Sequence, residues 1–201
     1  MKPDLRGVIR PVRPEDREAL SLICLETANA GKNATGLYSD PDYPGLLYVV
    51  PYALYEPDFA FVLELDGAVV GYVVAAPDTE AFENKLASEW WPVLQKKYAQ
   101  REPLADLDMK VLGQIRHPAR ASEELSQSWP AHLHINLLPV AQSGGWGRRL
   151  IAHQLAALRA RGVSGVHLGV SLQNETVCAF YEKMGFRHIF RRNAIYMGQL
   201  L

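Results

Sequence analysis

The spacing of apolar positions along this chain changes period several times, and each change marks an element. Residues 132–138 form a short, largely apolar run that reads as a strand. A turn rich in glycine follows (Gly144, Gly145, Gly147), and Leu150, Ile151, Leu155 and Leu158 then recur at helical spacing. A second short apolar strand, 166–170, precedes a helix with Val177, Phe180, Tyr181 and Met184 on one face. Asn174 suits the N-cap of that helix, Glu175 its first turn and Gly185 its C-terminal stop. Nearer the start, 15–30 reads as a helix ending near Gly31, and 59–76 as two strands joined at Asp66-Gly67. Between them, 33–57 is rich in Pro, Gly and Tyr, with one helix expected over 46–55. The chain closes with a hairpin-like pair, 186–192 and 194–200.

Residues 77–130 are far longer than an ordinary connection between strands and read as a helical insertion. Phe82, Leu86, Trp90 and Leu94 give it an apolar stripe, which Pro92 must kink or restart. The stripe predicts packing on the rest of the domain, as a structural cap, as a wall of a substrate cleft or as a homodimer interface.

Composition bounds the class. The chain has 201 residues, of which 48% are hydrophobic, enough for one domain over 1–201 with a sizeable core. A net charge of -1 argues against a nucleic-acid partner. No apolar run is long enough to span a bilayer, and Met1-Lys2-Pro3-Asp4 does not open a signal peptide. Cys24 and Cys178 show no Cys-x-x-Cys spacing. The expectation is therefore a cytoplasmic protein with reduced thiols and no membrane contact.

Charge is uneven where it matters. Residues 125–174 contain no Asp or Glu but hold Arg148, Arg149, Arg159 and Arg161. A strand running through a glycine turn into a helix aims unpaired N–H groups and the positive end of the helix dipole at one spot, which favours a phosphate. A mononucleotide P-loop needs Gly-Lys-Ser/Thr, whereas Gly147 is followed by Arg148 and Arg149. A dinucleotide fingerprint needs a third glycine where Leu150 stands, and an acid about twenty residues on that the acid-free stretch does not supply.

The pattern Gln142-x-x-Gly145-x-Gly147 resembles the pyrophosphate-binding loop of the GNAT superfamily of acyl-CoA N-acyltransferases. Residues 166–186 resemble the second GNAT signature: an apolar strand, Asn174, Tyr181 seven positions later and a closing Gly185-Phe186. Residues 8–16 look like a GNAT first strand turning into its first helix. More narrowly, Pro51-Tyr52, Glu56-Pro57, Phe61-Val62-Leu63-Glu64, Gly71-Tyr72-Val73, residues 90–98 and His132-Leu133-His134-Ile135 resemble the acetyltransferase-like domain at the C-terminus of O-GlcNAcase and its stand-alone bacterial relatives.

The resemblance implies a fold of the α/β (α+β) class. Its central sheet would be mixed, mostly antiparallel and twisted, with helices on both faces and a splay between the phosphate-loop strand and the next strand. It also implies acetyl-CoA and a small-molecule or peptide amine acceptor. By resemblance, the main chain of Leu137, Leu138 and Val140 holds the pantetheine arm, with Pro139 marking a bulge or splay. Gln142, Ser143, Gly144, Gly145, Trp146, Gly147 and Arg148 hold the diphosphate, Asn174 orients the arm, and Tyr181 is the general acid. A phenol of pKa about 10 is protonated at neutral pH and can donate to a leaving thiolate.

A lysine-like amine, pKa about 10.4, must lose a proton before it attacks. Many relatives place a carboxylate on the strand before the phosphate loop, but this strand has none. His132 and His134 share a strand face with Asn136. They are candidate bases, with Glu64 and Asp108 as others. Two imidazoles on one face also raise the question of zinc, with His167 or Asp108 as a third ligand. Without a supporting cluster no metal is expected. Two functions remain: an acetyl-CoA-dependent N-acetyltransferase, or an acyl-CoA-binding module without a working base. A purely structural domain would require that the loop bind no CoA.

Overall fold

The computed structural model describes residues 7–142 and 144–201. Its sheet has seven strands: β1 (Gly7–Pro11), β2 (Ala60–Leu65), β3 (Ala68–Ala76), β4 (Ala131–Leu137), β5 (Gly165–Val170), β6 (Arg187–Arg191) and β7 (Ile195–Leu200), in the order β1-β2-β3-β4-β5-β7-β6. All neighbours are antiparallel except β4 and β5. The β2–β3 hairpin closes as its sequence predicts, with Asp66 at φ 49° and Gly67 at φ 85°, the left-handed pair that a two-residue hairpin turn demands.

Alternation along the strands sorts side chains onto two faces. Val62, Tyr72, Val74 and Ala76 face the first core. There they meet Leu20 and Ile23 of α1 (Arg17–Thr27), Leu46 of α2 (Tyr43–Tyr48) and Tyr52 of α3 (Val50–Tyr55). The opposite face, with Leu63, Val73, Leu133 and Leu168, packs on Leu150, Ile151, Leu155 and Leu158 of α8 (Trp146–Ala160). The single helix expected over 46–55 is two helices. Val49 leaves helical geometry at φ -142°, and Pro51 has no N–H to bond back to the preceding turn.

The insertion contributes α4 (Thr79–Lys85), α5 (Trp91–Lys97), α6 (Asp108–Arg116) and α7 (Glu123–Ser128), with a π-helical turn at Leu86–Trp90 between α4 and α5. Pro92 cannot donate within the helix, and the widened turn before it absorbs that defect. Phe82, Leu86, Trp90 and Leu94 are all buried in the first core, and the Trp90 indole N–H donates to the Leu46 carbonyl at 3.1 Å. The insertion thus seals the α1–α3 face. Among the described residues no helix is long and apolar enough to cross a membrane.

The last element before the hairpin tail is α9 (Cys178–Glu182). Its C-terminus is closed by Phe186 N–H to the Tyr181 carbonyl (3.1 Å) and Gly185 N–H to the Glu182 carbonyl (3.0 Å), a Schellman arrangement. Its N-terminal side departs from the sequence expectation. The N-cap role falls to Ser171, whose hydroxyl accepts from Gln173 N–H, and Asn174 sits inside a kinked 3-10 turn, Leu172–Val177, at φ -126°.

Trp129 lies across two glycines of the β5–β7 pair. A Cβ at Gly198 would stand 2.6 Å from the Trp129 Nε1 and 2.8 Å from Ile189 Cδ1. Gly198→Ala is therefore expected to cost about 1–3 kcal/mol through overpacking, read as a lower urea midpoint at unchanged slope. A midpoint equal to the parent's would show that Trp129 is free to move aside.

Candidate active site at the split between two parallel strands

β4 and β5 pair at only two positions, Ala131 with Val166 and His132 with His167. Beyond them the strands diverge. The Leu138 N–H donates to the Val70 carbonyl at 2.9 Å. By antiparallel alternation, the main-chain groups of 132, 134, 136 and 138 then point at β3, while those of Leu133, Ile135 and Leu137 point at the gap. This corrects one expectation: the Leu138 amide is committed to β3, and Ile135 joins Leu137 as the main chain facing the split. The Leu137 carbonyl already accepts from Gln142 Nε2 at 3.0 Å. Pro139 opens a 3-10 turn, Pro139–Ala141, and so ends the strand; it makes no bulge in it. Val140 is exposed in that turn.

At the far end of the loop Gly145 is the N-cap of α8, at φ 79° and ψ 10°. This left-handed conformation costs other residues about 1–2 kcal/mol. The first intrahelical bond runs from Arg149 N–H to the Gly145 carbonyl at 3.1 Å. The amides of Trp146, Gly147 and Arg148 therefore have no partner within the helix, and no acid occupies its first turn. The Arg149 guanidinium stacks on the Trp146 ring at 4.5 Å, and that ring lies directly against Gly7 of β1. Gly147 faces α9 and β4, where a Cβ would make ordinary contacts with Phe180 at 3.4 Å and Leu137 at 3.7 Å. Ser143 lies outside the described residues.

On the α1–α3 face, the two strand histidines enter a hydrogen-bonded chain. Tyr52 Oη lies 2.7 Å from His132 Nε2 and 3.1 Å from His134 Nε2. Thr79 Oγ1 lies 2.8 Å from His132 Nδ1 and donates to the Pro130 carbonyl at 2.7 Å. Neither Tyr52 nor Thr79 was nominated from the sequence. They lie 80 and 53 positions from His132, and no local spacing signals such a contact. Burial, reinforced by the neighbouring imidazoles, holds His132 well below the usual histidine range and His134 at about 4. Burial also lowers His167, whose Nδ1–H donates to the Trp129 carbonyl at 2.8 Å. With both nitrogens of His132 engaged, the strand pair does not offer a zinc site. Among the described residues no group of three His, Cys, Asp or Glu side chains is gathered to hold a metal.

The other nominated residues divide clearly. Tyr181 is half-buried beside Phe180 and Phe186, and burial pushes its phenol up to about 12. Among the described residues its hydroxyl has no hydrogen-bond partner, and it is not sealed from solvent. The Asn174 amide approaches Gly31 at the end of the α1 connection. Two carboxylates leave the set of bases. Glu64 is held by Arg10 Nε at 2.8 Å, and the same guanidinium clasps Asp16 at 2.7 and 2.8 Å. Asp108 is fully buried and accepts from the amides of Ser39, Leu104 and Ala105 at 2.8–3.0 Å. Burial alone would raise its pKa, but these donors more than reverse that and lower it. Its role is to close a loop. Asn136, on the histidine face, donates to the Tyr72 hydroxyl at 2.6 Å.

β4 thus splits from its parallel neighbour and runs into a helix whose first turn carries no acid. Residues 32–186 match the Acetyltransferase (GNAT) family, and the chain belongs to it. It is 24% identical to Protein O-GlcNAcase of Rattus norvegicus over 201 residues, which cover 96% of this chain and 22% of that protein. The chain thus spans about a fifth of the length of the curated relatives it matches. Among solved structures it is similar to SsHAT, at 37% identity and a TM-score of 0.89, covering 96% of this chain and 98% of that one. It shares its fold with yncA of Salmonella typhimurium, a putative acetyltransferase solved with its cofactor acetyl-CoA, at 16% identity and a TM-score of 0.56 over 97% and 94% of the two chains.

The three histidines make stability depend on pH. Each has a folded pKa below the ordinary histidine value of 6.5, so as pH falls the unfolded chain takes up protons first. Their contribution is complete above pH 6.5 and is lost on acidification, for His134 down to about 4. The slope is about 1.4 kcal/mol per pH unit for each histidine. Glu56 and Glu83, raised by burial, work in the opposite sense and offset part of the loss. The urea midpoint is expected to fall between pH 7 and pH 5, and to fall less in His134→Gln. Equal midpoints at the two pH values would contradict this account.

Proposed function

We propose that this chain transfers the acetyl group of acetyl-CoA to the nitrogen of a primary amine, on a small molecule or a peptide, by direct attack in a ternary complex. The observation that carries this reading is the continuity of the β4–β5 split with the free amides at the start of α8. The amides of Trp146, Gly147 and Arg148 suit a diphosphate, with Arg148 and Arg149 adding positive charge. The main-chain groups of Ile135 and the N–H of Leu137 suit the amides of an extended arm, and Asn174 is assigned to orient that arm by resemblance alone. The thioester supplies the electrophile.

The chain's own groups then manage protons. Tyr181 holds its proton to about pH 12 and gives it to the departing sulfur. Of the four nominated bases, His134 alone keeps an unengaged nitrogen, so it receives the amine proton. Because His134 is neutral above about pH 4, the rate does not wait on its deprotonation. The amine must arrive as the free base, which favours acceptors less basic than a lysine side chain, such as α-amines of pKa about 8.

A second reading, a CoA-binding module without turnover, is favoured by one observation: a base as weak as His134 gives little help to a strongly basic amine. Calorimetric titration with acetyl-CoA and with CoA, followed by an amine screen on the same sample, separates the two. Binding with acetylated product supports the enzyme; binding with no product from any amine supports the module.

Three outcomes are expected. Gly145→Ala and Gly145→Asp both carry the left-handed backbone penalty, about 1–2 kcal/mol, but only the carboxylate repels a diphosphate. Gly145→Asp should therefore lose acetyl-CoA binding that Gly145→Ala retains, and equal affinities in the two would remove the loop from the site. Tyr181→Phe should leave acetyl-CoA affinity unchanged and slow transfer by about 10²-fold or more. Finally, kcat/KM for an amine should rise with pH up to the amine's own pKa, with no inflection near 6.5. An inflection there would mean that a histidine titrates in the normal range.

A further inference from the structure

The polarity of the Thr79–His132–Tyr52–His134 chain is set from one end. The Pro130 carbonyl can only accept, so at 2.7 Å the Thr79 hydroxyl spends its one proton there. The contact between Thr79 Oγ1 and His132 Nδ1, 2.8 Å, then requires the proton on Nδ1. A neutral imidazole carries one N–H, which leaves His132 Nε2 bare, and Tyr52 must donate to it across 2.7 Å. The Tyr52 oxygen has only lone pairs left for His134 Nε2 at 3.1 Å, so His134 carries its proton on Nε2. Nδ1 of His134 is left with a lone pair. It has no partner among the described residues and is not sealed from solvent.

The placement of this atom agrees with its chemistry. His134 lies two residues beyond His132, the last β4 residue that pairs with β5, and so on the first stretch of strand bordering the split. Its ring is held edge-on by Tyr48 at 5.8 Å and Tyr52 at 5.2 Å. The chain ends at a backbone carbonyl and cannot carry a proton away. What it can do is fix a tautomer.

We propose that Thr79 and Tyr52 are positioning residues that hold His134 in its Nε2–H form, so that Nδ1 accepts an N–H of the amine being acetylated. The inference rests on the acetyl-transfer reading for the identity of the ligand, though not for the tautomers. In the reaction His134 Nδ1 takes one proton from the amine nitrogen as the nitrogen lone pair bonds to the acetyl carbon. The carbon–sulfur bond breaks, and the thiolate takes its proton from Tyr181. The imidazolium so formed keeps its Nε2–H on Tyr52 and returns the extra proton to solvent from Nδ1, while the Tyr181 phenolate takes a proton back from solvent.

The test is long-range ¹H–¹⁵N correlation of the histidine rings in the full-length chain at pH 7. His132 should show a protonated Nδ1, the form histidine populates less in water, and His134 a protonated Nε2. Thr79→Val removes the hydroxyl that sets the direction and should leave both rings as tautomer mixtures, whereas Thr79→Ser should keep the parental pattern. With an active amine, Tyr52→Phe should lower kcat/KM for the amine by about tenfold or more while leaving acetyl-CoA affinity unchanged. A protonated Nδ1 on His134, or a Thr79→Val spectrum identical to the parent's, overturns the inference even if transfer proceeds. The expected tautomers with no acetylated product from any amine would instead overturn the enzyme reading and leave the fixed tautomer standing.

Discussion

The short ladder between β4 and β5 governs the site. Parallel strands held together along their full length would bond every inward amide and carbonyl to one another, and nothing could enter. Here pairing stops after His132 and His167, and β5 continues on its other side, paired with β7 through Val170. β4 likewise stays bonded to β3 through Leu137. Each strand is therefore held by a neighbour on one flank and has no strand partner on the other, where the Leu137 carbonyl is met by Gln142. Main chain left unpaired in a partly buried gap is costly, which is why an extended chain of amides is the ligand proposed for this split. Its mouth lies beside the start of α8, where the amides of Trp146, Gly147 and Arg148 have no partner within the helix.

The two faces of β4 divide the labour. Leu133, Ile135 and Leu137 send their side chains to the α8 side and fasten the glycine-rich end. The even-numbered residues send histidines to the side covered by α3 and the insertion. The insertion is more than a lid on the first core, because the first residue of its first helix, Thr79, orients His132. Its amide and hydroxyl both donate to the Pro130 carbonyl, at 2.8 and 2.7 Å, so the two ends of the insertion are tied together beside the ring.

What could be read from the sequence was local. The Asp66-Gly67 hairpin, the strand–glycine–helix junction and the Gly185 stop are each set by a few adjacent residues, and each stands where its pattern placed it. Features that depend on distant partners were not legible. The break at Val49 is the exception: Pro51 marks it locally, and the continuous apolar pattern hid it. Asn174 lost the N-cap role to Ser171 because a 3-10 turn starts earlier than the helical periodicity. The commitment of the Leu138 amide depends on which flank of β4 meets β3, a matter of register parity. Glu64 and Asp108 looked available as bases until Arg10 and the amides around Ser39 were brought to them across the fold.

Trp146 gives the molecule a property unrelated to catalysis. Its indole rests on Gly7 of the edge strand with the Arg149 guanidinium stacked on it, one residue from the αL cap of α8. Trp90 and Trp91 are sunk in the first core, and Trp129 spans the glycines of the β5–β7 pair. One indole of the four therefore sits at the head of α8, turned towards the edge strand and with a cation stacked on it. The chain carries its own optical reporter: a change in charge at the head of α8 is written into the emission of a single, unlabelled tryptophan.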